Sequence, residues 1–128
     1  MLPQPNSDNE MCIREPVSYF NELGHLHDAD VTEFHWNPFK REIAFAIDDL
    51  YANFLDLPEY EGLQAVRLTL SGVSRVQIDV ASGTPPLRIR SFEVSESGTQ
   101  IHIVVMFVHD GRVQIDCNAV VCRPLVRT

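Results

Sequence analysis

A mainly β domain, α+β at the margin, is predicted for this chain: a curved antiparallel sheet or β-sandwich of about six to seven strands behind one short N-terminal helix. Three features carry the prediction. Apolar and polar residues alternate, run after run, to the C-terminus, which is the period of a half-buried sheet. The runs are separated by Gly, Pro, Asn and Asp clusters rather than by helical patterns. Two of the cleanest runs, 101–109 and 112–122, flank Asp110-Gly111, a dipeptide that tolerates the positive φ angles of a tight hairpin.

The elements follow in order. Residues 1–11 carry Pro, Gln, Asn, Ser and acids without an apolar run and read as a frayed tail, leaving 12–128 as one β-rich domain. Pro16 suits the first turn of a short helix, Phe20 and Leu23 share one of its faces, and Gly24 supplies a left-handed stop. A strand near 31–36 breaks its parity between Val31 and Phe34, which a bulge at Thr32-Glu33 accounts for. Asn37-Pro38-Phe39-Lys40 turns the chain into a cleaner strand, with Ile43, Phe45 and Ile47 on one face and Glu42, Ala44, Ala46 and Asp48 on the other. Residues 49–62 hold apolar weight without a period and read as a long loop with a helical turn lying across the sheet. Val66, Leu68 and Leu70 alternate, Gly72 permits a bend, and Val76, Ile78 and Val80 resume the parity. Residues 82–86 form a loop. Leu87, Ile89, Phe92 and Val94 make a strand with another parity switch, and Ser97-Gly98 turns it into the final hairpin.

That hairpin allows a geometric expectation. A two-residue turn at Asp110-Gly111 sets Val108 against Val113, Met106 against Ile115, Val104 against Cys117 and His102 against Ala119, giving one almost wholly apolar face. The opposite face mixes Ile101, Ile103, Val105 and Phe107 with Gln114, Asp116 and Asn118. It is either covered by the loop or helix, or offered to a partner.

Bulk properties narrow the function. The chain of 128 residues suits one domain with one core, and its 45% apolar content fits a folded globule. A net charge of −8 argues against nucleic-acid or anionic-lipid partners, both of which demand a basic face. No signal peptide is expected at the N-terminus and no run is long enough to cross a bilayer. Three cysteines are an odd count, and Cys117 and Cys122 sit on opposite faces of one extended run, so reduced thiols in a cytoplasmic protein are expected.

Candidate chemistry is sparse. His25, His27, Asp28 and Asp30 form the densest cluster. On an extended segment, the imidazoles of His25 and His27 point the same way, and Asp28 completes a candidate metal site. Against that, Asp and His at a helix-to-strand junction commonly hydrogen-bond free backbone groups, and His35, His102 and His109 are scattered. No metal or other cofactor is expected. Ser71 lacks a nucleophile elbow, Cys117 lies among apolar strand residues, and Asp48 and Asp49 diverge at a strand end. A catalytic site is not expected. A charge pattern is more informative: from Glu42 through Val66 there are six acids and no Lys or Arg. Asp49, Tyr51, Phe54, Asp56, Glu59, Tyr60 and Glu61 thereby make a candidate surface for a basic protein partner, aromatic anchors among acids.

Tyr19-Phe20, Leu26-His27-Asp28-Ala29-Asp30-Val31, Leu68-Thr69-Leu70-Ser71-Gly72-Val73 and the closing Val113-Gln114-Ile115-Asp116-Cys117-Asn118-Ala119-Val120 resemble small β-rich bacterial proteins. Several of these are classed as immunity proteins of polymorphic toxin systems. They carry an aromatic-x-x-His-Asp-Ala motif, a Leu-x-Phe-x-Gly-Val strand and a Cys-bearing last strand. Leu70 stands here where an aromatic is usual, and the tryptophans often found before the His-Asp step are absent. The resemblance implies a non-enzymatic inhibitor that blocks a cognate toxin, which the charge pattern would make a basic domain. It also makes His27 and Asp28 structurally important, beside the bend residue Gly72 and the hairpin residues Asp110 and Gly111 that the strand pattern singles out. Two other readings follow from the residues alone: a small-molecule or metal-binding domain, or a hydrolase-like enzyme, with a pocket near His27 and Asp28; and a homodimer joined through the 101–107 face.

Overall fold

The computed structural model describes residues 10–55, 57–60, 62–80 and 87–125. The expected loop at 82–86 and most of the expected tail lie outside them. One helix, α1 (Pro16–Glu22), accompanies nine strands among the described residues: β1 (Met11–Cys12), β2 (Asp30–Asn37), β3 (Glu42–Ile47), β4 (Val66–Ser71), β5 (Arg75–Asp79), β6 (Leu87–Ser97), β7 (Gln100–Phe107), β8 (Arg112–Cys117) and β9 (Ala119–Pro124). They form a single open antiparallel sheet in the order β1-β9-β4-β3-β2-β6-β7-β8-β5.

The strand count exceeds the expected six to seven for two reasons. Met11, assigned to the tail, pairs with Cys122, and Cys12 with Val121. The run 112–122 is two strands, broken at Asn118. That break undoes the argument that Cys117 and Cys122 occupy opposite faces: both are fully buried, and both are free thiols.

The break has a cross-sheet cause. At Gly72 the chain passes from β4, paired with β9, to β5, paired with β8. At Asn118 the partner ribbon makes the matching step. Backbone bonds close the corner on both sides, Asn118 N–H to the Ser71 carbonyl and Ser74 N–H to the Asp116 carbonyl, each 2.9 Å. Gly72 has φ +65°, and a Cβ there would stand 2.6 Å from Asn118 Nδ2. Only glycine meets both demands at once. Because β4 and β5 are consecutive in chain yet distant in the sheet order, the open sheet is bent back so that its halves face one core.

That core is built on the expected alternation. Ile43, Phe45 and Ile47 of β3 and Val66, Leu68 and Leu70 of β4 are buried. Helix α1, with Pro16 in its first turn, lays Phe20 on Phe92 of β6 at 4.8 Å between ring centroids, and Phe92 meets Phe45 at 6.3 Å. Such tilted and edge-on contacts add to simple burial. The expected bulge falls between Val31 and Glu33. It returns Phe34 to the face of Val31, opposite Phe45.

The final hairpin departs from expectation. Phe107 N–H bonds the Gly111 carbonyl, so the loop is the three residues Val108, His109 and Asp110, with Asp110 at φ +74°. Three-residue loops with a left-handed last position are a standard alternative to the two-residue turn. The register moves by an odd number and exchanges the faces. Ile101 now opposes Cys117, Ile103 opposes Ile115 and Val105 opposes Val113. These residues and Phe107 are buried in the core, so the 101–107 face is not available to a second copy. His102, Val104 and Met106 lie on the outer face instead, opposite Asp116, Gln114 and Arg112.

Candidate functional site

The acidic loop between β3 and β4 is organised by one carboxylate. Asp49 is 5% exposed. Its Oδ1 accepts the backbone N–H groups of Tyr51 at 3.1 Å and Gln64 at 3.2 Å, and its Oδ2 accepts the Tyr60 hydroxyl at 2.7 Å. Leu50 N–H adds a 2.7 Å bond to the Gln64 carbonyl. These bonds tie the two ends of the loop together, the geometry of a compact Ω-loop. The bond to Asp49, and then burial, raise the Tyr60 hydroxyl above its ordinary pKa. Inside the neck, backbone bonds from Phe54, Leu57 and Tyr60 to residues three positions earlier wind the loop into successive turns, one of them the 3₁₀ turn Ala52–Phe54.

This arrangement redistributes the expected recognition residues. Asp49 and Tyr51 face inward and support the loop rather than its surface. Phe54 and Tyr60 are half-buried, Glu59 is exposed, and Asp56 and Glu61 lie outside the described residues. Beside Glu59, the described part of the loop presents aliphatic side chains: Leu55 is 59% exposed, Leu57 49% and Leu63 52%. The sequence showed Leu55 and Leu57 as aperiodic apolar weight but gave no sign that they face outward.

The His-Asp segment supports the same loop from below. Gly24 packs against the side chain of Asn53 so closely that a Cβ would overlap it. His25 and Leu26 both hold positive φ, so the segment is not extended and the two imidazoles lose the common direction that a metal pair needs. His27 Nδ1 donates to the Arg90 carbonyl at 2.8 Å, and Asp28 N–H to the Ile89 carbonyl at 3.0 Å. Both residues therefore dock the helix–strand junction onto β6. Asp30 pairs with Arg88 at 3.0 Å, and its N–H is held by Asp48 Oδ1 at 2.8 Å. Among the described residues no three His, Cys, Asp or Glu side chains gather into a metal-sized group.

Two further features lie outside the loop. On the outer face His102 Nδ1 meets Asp116 Oδ1 at 2.6 Å, with Ser95 and Arg75 beside them in one cross-strand row. On the inner face, β2 stays with β6 only at Asp30 and Val31 and then separates. The separation opens a seam opposite β5, a cavity of about 180 Å³ whose walls include Val31, Phe34, Ile78, Val80, Phe107 and Val113. Phe34, Trp36 and Ile78 are exposed although their cross-strand partners Phe45, Ile43 and Val113 are buried.

No family model matches the chain, and no curated protein matches it. Among solved structures it is similar to an uncharacterized protein from Neisseria gonorrhoeae, with a TM-score of 0.55 over 91% of this chain and 99% of that one, at 10% sequence identity. The likeness is one of fold alone. No helix among the described residues is long and apolar enough to cross a membrane.

Proposed function

We propose that the protein is a non-enzymatic, cytoplasmic protein-binding module that engages a basic partner through the Asp49-tied loop. The observation that carries this reading is the exposure of Leu55, Leu57 and Leu63 on a loop whose neck is fixed by a buried carboxylate. Exposed aliphatic side chains on an ordered support lose little entropy on binding. The chain from Glu42 through Val66 holds six acids and no cation, so a basic partner is drawn to the leucines. Neutralisation of a toxin domain, the role implied by the motif resemblance, is one form of this activity.

Parallel affinity capture from the native host with the wild-type chain and a Leu55→Ser/Leu57→Ser/Glu59→Lys variant tests the proposal. A stoichiometric basic partner held by the wild type at low salt and lost by the variant is the expected result. A partner retained equally by both rejects the loop as the recognition surface.

A further inference from the structure

One pentapeptide occurs twice in the chain. Arg-Val-Gln-Ile-Asp is residues 75–79, the whole of β5, and again residues 112–116, the bulk of β8. The two stretches are hydrogen-bonded to each other in an antiparallel ladder. Arg75 stands opposite Asp116, Val76 opposite Ile115, Gln77 opposite Gln114, Ile78 opposite Val113 and Asp79 opposite Arg112. The ladder is symmetric about the two glutamines: each basic end faces an acidic end, and each valine faces an isoleucine. Inside this fold, the segment already pairs with its own sequence.

The two stretches differ in what lies beyond them. β8 is central, paired with β7 on its other side, and its Ile115 is 1% exposed. β5 ends the sheet order, and among the described residues no strand pairs with its outer edge. Ile78, which holds the place of Ile115 in the repeat, is 47% exposed. A strand edge with free N–H and C=O groups is a template for another strand, and proline, a bulge or an inward-pointing charge blunts many native edges. β5 has none of the three. It contains no proline, and its ladder with β8 runs without a shift of register. Arg75, Gln77 and Asp79 take the outer face, and Val76 and Ile78 the inner one. Neither Arg75 nor Asp79 belongs to an ion pair among the described residues, and Asp116 is held by His102 instead.

We propose that β5 is a homodimerisation edge: a second copy adds its own β5 antiparallel, centred on Gln77, in the register that β5 keeps with β8. Arg75 then meets Asp79 of the second copy, Val76 meets Ile78, and Gln77 meets Gln77. Opposite charges and β-branched residues are favourable cross-strand neighbours. The backbone groups of successive residues point to alternate edges of a strand, so a pair centred on one residue brings donors onto acceptors. The contact is two-fold and closed, because each copy covers the other's open β5 edge. At the opposite end of the sheet β1 is two residues long, too short to continue it. Five residues a side make a small interface, so the dimer is expected to depend on concentration. This edge is independent of the leucine-bearing loop.

Sedimentation equilibrium of the full chain and of two charge-reversed variants tests the proposal. The wild type is expected to pass reversibly from monomer to dimer at concentrations up to about 1 mM, the weak end of specific association. Arg75→Asp places acids at both ends of the edge, and Asp79→Arg places cations at both. Each is expected to dimerise with itself at least about tenfold more weakly than the wild type. Mixed in equal amounts, the two variants carry complementary edges and are expected to regain the wild-type affinity as a heterodimer. Circular dichroism reports the fold of each. If either fails to fold, Gln77→Lys and Gln77→Glu make the same comparison at the exposed centre of the strand. The proposal is overturned if the wild type stays monomeric over that range, if both folded variants dimerise as the wild type does, or if their mixture associates no better than either alone.

Discussion

Asp49 shows how much a single buried carboxylate can decide. It satisfies two backbone N–H groups and a phenol, and removing it leaves those donors without their acceptor. Asp49→Ala is expected to cost about 2 kcal/mol in urea unfolding, the scale of hydrogen bonds to a charged group. The buried thiols make a second prediction at this scale. Burial pushes Cys117 up to about 11 and Cys122 up to about 12 from an ordinary 9.0. Burial, and then the neighbouring Cys122 thiol, raises the Tyr19 hydroxyl as well. The folded chain therefore holds these protons after the unfolded chain has released them. Their contribution to stability is intact below pH 9 and lost as the pH climbs through 11 to 12. Urea midpoints should hold steady to pH 9 and then fall, and fall less in Cys117→Ala. At pH 8 a thiol reagent should modify Cys12, which is exposed, and reach the other two cysteines only on unfolding.

At the scale of elements, the corner at Gly72 and Asn118 is where the sheet's two halves become one. Gly72→Ala meets both a positive φ and a contact of 2.6 Å, so it should destabilise by about 2 kcal/mol or more, read as a lowered thermal midpoint. Gly98→Ala is the contrasting control, since it strains the backbone at φ +63° but finds open space. The difference between the two variants isolates the steric part. Which residues of β3 and β4 are buried was legible in the sequence, because a period of two is a local property. The register of the final hairpin was not, because it turns on whether the loop holds two residues or three, and an odd slip exchanges every face. The break at Asn118 was hidden for another reason: its cause, Gly72, lies across the sheet. The loop itself was legible as a loop. The direction of Asp49 was not, since its partners Tyr60 and Gln64 stand 11 and 15 residues further on.

For the molecule as a whole, charge and shape separate two surfaces. The leucine-bearing loop lies in the acidic stretch, while an outer-face groove at the end of β5 mixes Arg90 and Arg112 with Asp79 and Asp110. Association with a basic partner should slow markedly when ionic strength rises from about 0.01 to 0.15 M, as the Debye length contracts from roughly 30 to 8 Å. Dissociation should change far less, because exposed leucines are indifferent to salt. Stopped-flow measurement of both rates on the captured complex checks this. A salt-insensitive association rate removes the acidic stretch from the recognition step.

The bonds that tie the loop neck have one more consequence. They run from Asp49 to two backbone groups and to Tyr60, and none engages the side chains of residues 55, 57 or 59. The tip is thereby released from the folding constraint that governs the neck. Such a loop is a substitutable cassette: its outward residues can diversify to follow a changing partner while the scaffold beneath them stands still. Variant libraries randomised at 55, 57 and 59 should accordingly remain folded at high frequency, whereas libraries randomised at 49, 60 and 72 should not.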